Sequence, residues 1–416
     1  MVGYNTKNRI AFISSYPPRK CGIATFTSHL VRNTIPTPNA SFEPVIIAMQ
    51  SNSTMRYHEE VEFVIRKDLK SDYMEAADFI KSSNIDIVVL QHEFGLFGGE
   101  GGSYIVSLLK RLNVPVITTL HTVLEKPPEE YLRGLIDVCD WSKKVIVMNK
   151  RGVTMLENLY EVPQSKIDLI PHGVPTIPFG KTEEYKRKLN LAGRKVILTF
   201  GLLGPNKGIE VALNAMPAII KENPDVLYLI AGTTHPEVVK SDGYRYRDKL
   251  RQIVERLKIR RHVSFHDRFV TDEQLKKLLA AADIYVTPYL NKEQLTSGTL
   301  SFAVGCGKAV VSTPYWAAEE LLDEGRGILV PFGNSQKLSE AITILFNNES
   351  LLSNIQKRAY NYGRKMTWTN VGNEYQHLIM KQLHQTIKHP RFNSVAKRQP
   401  SVVSANIMER ALYQYA

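Results

Sequence analysis

The sequence predicts an α/β protein built from two doubly wound parallel sheets, and three observations predict it. Short continuous apolar runs recur along the chain with helix-length segments between them, the pattern of parallel strands buried on both faces. A stretch rich in proline, glycine and charge, Pro171–Leu191, interrupts the series midway. A second series of the same kind follows, and 416 residues is the length of two typical domains.

The first series opens with Arg9–Ser14 (RIAFIS). Two prolines break the chain after it, and Gly22 then opens a helix with Ile23, Phe26 and Leu30 on one face. Strands are expected at Val45–Met49, Asp86–Leu90, Val114–Thr119, Lys144–Met148 and Ile167–Ile170, with a helix at Tyr104–Leu112. After the break, strands are expected at Lys195–Phe200, Leu227–Ala231, His262–His266, Asp283–Thr287, Ala309–Ser312 and Gly327–Val330. Helices fit at Ile209–Ile220, Tyr246–Leu257, Thr271–Ala281 and Ser335–Asn347. This divides the chain into residues 1–180, 181–370, a C-terminal helix at 371–388 that returns to the first domain, and a basic tail at 389–416. Ligands of such sheets bind beyond the C-terminal strand ends, and two facing sheets make a cleft.

Composition narrows the function. Cys21, Cys139 and Cys306 form no ladder and no CxxC pair, which fits a reducing compartment and excludes a disulfide scaffold. No signal peptide is visible and no apolar run reaches the roughly 20 residues of a bilayer span, so a cytoplasmic location is expected. The formal net charge of +12 either steers anions or describes an ordinary basic surface. The basic residues are spread along the chain and do not interleave with aromatics, so nucleic acid is not an expected partner.

Five segments carry candidate chemistry. In Pro17–Phe26 (PPRKCGIATF), Gly22 and the helix start behind it form an anion site with Arg19 and Lys20, or a plain strand-to-helix turn. His92 and Glu93 stand at a strand end before the glycine-rich run Gly95–Gly102, a mobile or tightly approached loop. His121 follows VITTL, where a histidine can bond a sugar hydroxyl or a phosphate; Glu125 lies near. In Phe200–Glu210 (FGLLGPNKGIE), Gly201, Gly204 and Gly208 surround Lys207 between a strand and a helix, so that one lysine and a helix start can hold a diphosphate. In NKEQLTSGTLSF, Thr296, Ser297, Gly298 and Thr299 begin a helix whose amides and hydroxyls can bind phosphate oxygens, with Glu293 and Gln294 just ahead. None of these has the spacing of a metal site or of a nucleophile elbow.

In this order the segments PPRKCGIATF, VITTLH, KIDLIPHGV and GPNKG, with the run SFAVGCG, resemble the retaining GT-B glycosyltransferases of family 4, also called glycosyl transferases group 1, over roughly residues 7–385. The resemblance implies two Rossmann-like domains facing across a cleft, the N-terminal one holding the acceptor and the C-terminal one the nucleotide sugar. It implies that Gly22 lies beside acceptor and donor phosphates, that His121 stands near the transferred sugar, and that Lys207 neutralises the leaving diphosphate. The family's arginine four or five residues before that lysine is replaced by Leu203 or Leu202, with Lys308 or Arg19 as substitutes for its charge.

The family's two glutamates, separated by seven residues, are also altered. Counting back from Gly307 places them at Gln294 and Phe302; counting from Glu293 places the second at Ser301. The carboxylate that holds the ribose in relatives is absent in either register. The first position, Glu293 or Gln294, is expected against the moving sugar.

The implied reaction moves a hexose, with retention, from a nucleoside-diphosphate sugar to a saccharide or other small hydroxyl acceptor. No cofactor and no metal is expected if Lys207 and the amides of Thr296–Thr299 carry the charge. A sugar phosphorylase on the same scaffold and a non-catalytic carbohydrate- or nucleotide-binding member are the alternatives. Some relatives glycosylate lipids, so peripheral membrane contact fits the family, though no basic amphipathic helix requires it. The oligomeric state is not set by the sequence.

Overall fold

The computed structural model describes residues 7–35, 41–51 and 54–388; the basic tail from 389 lies outside the described residues. The first sheet contains β1 (Asn8–Ser14), β2 (Phe42–Gln50), β3 (Val61–Arg66), β4 (Ile87–His92), β5 (Val116–Leu120), β6 (Lys144–Val147) and β7 (Ile167–Leu169). Their order is β3-β2-β1-β4-β5-β6-β7 and every pairing is parallel. The second sheet contains β8 (Lys195–Phe200), β9 (Val226–Ala231), β10 (Val263–His266), β11 (Ile284–Thr287), β12 (Ala309–Ser312) and β13 (Ile328–Leu329). Its order is β10-β9-β8-β11-β12-β13, again parallel throughout.

The central strands are buried on both faces, which is why they read as unbroken apolar runs. Ile10, Ala11, Phe12 and Ile13 of β1 are all inaccessible, and their side chains divide between two cores, one on each side of the sheet. β3 is the strand that the apolar-run reading passes over. It is an edge strand, VEFVIR, with Glu62 and Arg66 exposed, so it alternates instead of running apolar. The helix expected at Tyr104–Leu112 stops at Leu109.

Pro171–Leu191 is only partly a connector. Its second half forms the helix Thr182–Lys188, where buried Lys186 pairs with Asp283 at 2.9 Å and fastens the segment to the second sheet. The last helix runs from Trp368, ahead of the expected 371, to Lys388. It returns to the first sheet: Trp368, Val371, Tyr375 and Ile379 pack with Leu30 and Val31 of the helix Gly22–Thr34. Tyr375 Oη bonds Thr119 Oγ1 at 2.7 Å, and Gly372 leaves no room for a Cβ beside the Asn33 carbonyl. Among the described residues no helix is long and apolar enough to cross a membrane.

Each sheet reverses its strand order once, between β1 and β4 and between β8 and β11. Side chains at the C-terminal strand ends converge at such switch points. The loops after β1 and β4 carry Gly22 and Glu93, and those after β8 and β11 carry Lys207 and Ser297.

Candidate functional site

At the second switch point two loops are built against each other. After β8 the chain turns through Gly201 and a short 3-10 turn, Pro205–Lys207, into the helix Ile209–Glu222. Gly208 has φ +60°, and a Cβ there would lie 2.0 Å from the Pro288 carbonyl oxygen. Only glycine takes this backbone conformation without strain and also lets the β11 loop come so close. Leu290 N donates to Asn206 O at 3.0 Å and completes the seam.

Within the seam, the Lys207 ammonium lies 3.9 Å from the ring centre of Tyr289. Tyr289 Oη is 3.1 Å from Thr299 Oγ1. Ser297 caps the helix Gly298–Gly305, its Oγ accepting from Leu300 N at 3.4 Å. The first amides of that helix, Gly298 and Thr299, have no carbonyl partner within it. The structure thus brings Lys207, Ser297, Gly298 and Thr299 together. Gly204 accepts from Lys207 N at 2.9 Å; its own φ of −165° is ordinary extended backbone. Thr296 Oγ1 is buried without a partner, and Gln294 Nε2 donates to Thr296 O at 3.2 Å. Glu293 stays on the exposed part of the loop, its amide bonded to Asn291 Oδ1.

On the first sheet, β4 and β5 end side by side, and His121 N donates to His92 O. His121 Nε2 donates to Gln91 Oε1 at 3.0 Å, and Phe26 stands against its ring edge-on at 4.9 Å. Burial, with His172 and His92 nearby, pushes the His121 pKa down to about 3. It is therefore a neutral hydrogen-bonding ring at pH 7, not a cation. His92 is buried and stacked on Phe97, and burial lowers it to about 4. Burial raises the Glu93 carboxyl, which accepts from Thr122 Oγ1 at 2.6 Å and caps the turn at Phe94.

The glycine run Gly95–Gly102 is of the tightly approached kind. A Cβ on Gly98 would meet Lys67 O at 2.2 Å, and one on Gly101 would meet Glu130 O at 2.7 Å. Gly22 is exposed and opens its helix with free space around it; Cys21 Sγ caps that helix by accepting from Ala24 N. Glu125 is exposed and pairs with Arg151.

The two halves meet through His172, which the sequence reading saw only inside KIDLIPHGV. Its Nδ1 donates to Gly173 O at 2.8 Å, leaving Nε2 bare. A Cβ on Gly298 would lie 2.9 Å from that Nε2. The ring contacts Phe26 at 5.0 Å and Phe302 at 5.7 Å, and burial lowers its pKa to about 4. The signal for it was position: PHG is the first turn after β7, where the chain leaves one sheet for the other.

Three altered positions take definite places. Phe302 is 8 % exposed and packs between Phe200 and His172, inside the core of the second sheet. Ser301 lines a small pocket behind the helix with Asn149, His172, Thr296, Ser297 and Glu320. Leu203 is buried, its N bonded to Thr233 O. Lys308 does not replace the missing cation. It is 5 % exposed, its Nζ donates to Ala280 O and Ala282 O, and burial lowers its pKa to about 8. Arg19 sits in the turn after β1, its N bonded to Tyr16 O and Nη1 buried without a partner.

Known glycosyltransferases resemble the chain along both of its sheets. Residues 181–366 match the family model for glycosyl transferases group 1, and residues 43–177 match that for Glycosyltransferase Family 4. An uncharacterized glycosyltransferase of Methanocaldococcus jannaschii is 26% identical over 244 residues, 56% of this chain and 58% of that protein. The phosphatidyl-myo-inositol mannosyltransferase of Mycobacterium leprae is 25% identical over 264 residues, 62% of this chain and 65% of that protein. The chain thus spans less than two thirds of the length of these curated relatives. Anabaena HepE, solved in complex with UDP, superposes with a TM-score of 0.71 at 17% identity, over 90% of this chain and 100% of that one.

Proposed function

The chain belongs to glycosyltransferase family 4 and has the GT-B fold; from that premise we propose that it moves a hexose, with retention, from a nucleoside-diphosphate sugar to a hydroxyl acceptor. One observation carries the reading. The Lys207 ammonium, the Thr299 hydroxyl and the free amides of Gly298 and Thr299 meet at the β8/β11 switch point.

The mechanism follows from charge. As the glycosidic bond breaks, negative charge gathers on the departing diphosphate oxygen. A cation and helix-end amides already fixed there stabilise it without reorganising, so they act most strongly in the transition state. In this reading they carry the charge without a metal ion or other cofactor. The acceptor hydroxyl, a saccharide's or another small molecule's, enters from the first-sheet side. It attacks on the face the diphosphate leaves, and its proton passes to the departing oxygen. His121, uncharged at pH 7, bonds sugar hydroxyls and adds no counter-charge. Glu293 is the nearby carboxylate able to face the sugar's developing positive charge once the loop folds inward. Gly22 leaves an open backbone approach for donor or acceptor.

A thermal-shift panel of UDP, GDP, ADP and inorganic phosphate tests the reading. UDP heads it because Anabaena HepE was solved with UDP. One nucleoside diphosphate should raise Tm, and Lys207→Ala should abolish the rise. One observation favours a second reading: in the register counted back from Gly307, the ribose carboxylate of relatives falls at Phe302, whose ring packs against Phe200 and His172. A sugar phosphorylase needs no ribose contact; it would be stabilised by phosphate alone and would release sugar phosphate from a disaccharide. No response to any of the four would favour a non-catalytic carbohydrate-binding member.

A further inference from the structure

Lys207 is a flexible side chain on a surface turn, yet it is held over one face of an aromatic ring. Tyr289, which supplies the ring, is 1 % exposed and stacks on Tyr315 at 4.9 Å with the planes 17° apart. Its carbonyl accepts from Thr313 Oγ1 at 2.6 Å, so neither the ring nor its backbone is free to swing. Tyr315 is itself fully buried, with Oη 3.5 Å from Ser297 Oγ and 3.4 Å from Thr287 Oγ1. The hydroxyl of Tyr289 reaches Thr299 Oγ1 in the first turn of the helix Gly298–Gly305. One side chain therefore touches the cation of the β8 loop with its face and the anion-binding helix start with its edge. Among the described residues no carboxylate forms an ion pair with Lys207, so its charge is held but not neutralised.

We propose that Tyr289 is a positioning residue that joins the two halves of the diphosphate site, fixing Lys207 against the helix start that Thr299 opens. The inference rests on the transfer reading above and extends it. An ammonium on four rotatable carbons loses freedom when it binds phosphate, and a ring that already holds it removes much of that cost. A pre-aimed cation also stabilises the leaving oxygen more than a mobile one does. This bears on the missing arginine. Leu203 is buried and Lys308 is spent on helix carbonyls, so no second cation takes the arginine's place from those positions. The chain instead fixes the cation it has. Tyr289 acts through Lys207 and Thr299 and is not itself assigned a contact with substrate.

The test is a pair of double-mutant cycles read by titration calorimetry with UDP, GDP and ADP. Tyr289→Leu should weaken the nucleotide that binds by about tenfold, and by less than about twofold when Lys207 is already alanine. Equal losses in both backgrounds, or no loss, would overturn the proposal, because core packing alone gives additive effects. Tyr289→Phe keeps ring and volume, so it should rescue most of the affinity and lose about threefold. Thr299→Val should cost less in this background than in wild type, because the bond the two hydroxyls share is already gone, a comparison that stands even if the leucine variant does not fold; equal losses in both backgrounds would contradict the link.

A second readout needs no nucleotide. In free protein carrying ¹³C-lysine, the Lys207 ε-methylene protons should be shifted upfield by the ring in wild type and in Tyr289→Phe. The shift should vanish in Tyr289→Leu; unshifted protons in wild type would overturn the proposal. If wild type binds none of the three nucleotides while the ring shift is present, the transfer reading fails and the Tyr289–Lys207 coupling stands.

Discussion

Gly208 sets where Lys207 points. Its left-handed backbone and its contact with the Pro288 carbonyl leave no space for a side chain. Gly208→Ala should lower unfolding stability by about 2–4 kcal/mol, read by urea denaturation, and should weaken nucleotide binding as well. Phe302 makes the opposite point, since here a residue departs from the family pattern. In the register counted from Gly307, Phe302→Glu would restore the expected residue but place a carboxylate between Phe200 and His172. It should destabilise the chain by about 3–5 kcal/mol in the same assay, with no gain in nucleotide affinity. A stable Phe302→Glu variant with tighter binding would mean that the ribose reaches this position after all.

At the scale of elements, the ends of β4 and β5 and the turn after β7 gather three neutral histidines, buried His92 and half-buried His121 and His172, lowered to about 4, 3 and 4. The unfolded chain protonates each near pH 6.5, whereas the folded chain does so only well below. Between those limits the unfolded state binds more protons, so stability is full above about pH 6.5 and falls as acid is added, by up to about 1.4 kcal/mol per pH unit for each ring. Tm should drop steadily from pH 7 to pH 5, and replacing His172 by Asn should flatten the slope. An unchanged Tm over that range would mean the rings are solvated. These same elements show what sequence carries. The buried strands were legible because both faces are covered, and β3 was not, because an edge strand shows polar residues. Lys207 and the Ser297–Thr299 turn were legible as glycine-bounded and hydroxyl-rich helix starts. Tyr289 was not, because a tyrosine after a buried strand reads as core, and only the tertiary seam puts Lys207 over its face. His172 was hidden for a related reason: its partners come from Phe26, Phe302 and Trp368, far apart in the chain.

The molecule as a whole is held closed at two edges of the cleft. His29 pairs with Asp272 at 2.5 Å, and the His29 bond holds that carboxyl below its usual range. At the other edge Asn149 Nδ2 bonds Leu295 O, Lys150 N donates to Glu320 at 2.9 Å, and Arg151 lies 4.2 Å over Trp316. Leu295 directly precedes the turn that opens the helix Gly298–Gly305, so closure and the geometry of that helix start are linked. The exposed pairs, His29–Asp272 and Lys150–Glu320, are modest, about 0–1 kcal/mol each, whereas the Asn149–Leu295 bond is buried. Asp272→Asn combined with Trp316→Ala should raise the radius of gyration in small-angle scattering and weaken nucleotide binding; single changes should do less. In the proposed transfer, closure would keep water from the sugar as the diphosphate departs. The most direct test of sugar transfer is ¹H NMR of the chain incubated with UDP-, GDP- and ADP-hexoses and a saccharide acceptor. Release of one nucleoside diphosphate, a product with the donor's anomeric configuration, and loss of both in Lys207→Ala are the expected results. Inverted product, or turnover that survives Lys207→Ala undiminished, would contradict the proposed transfer.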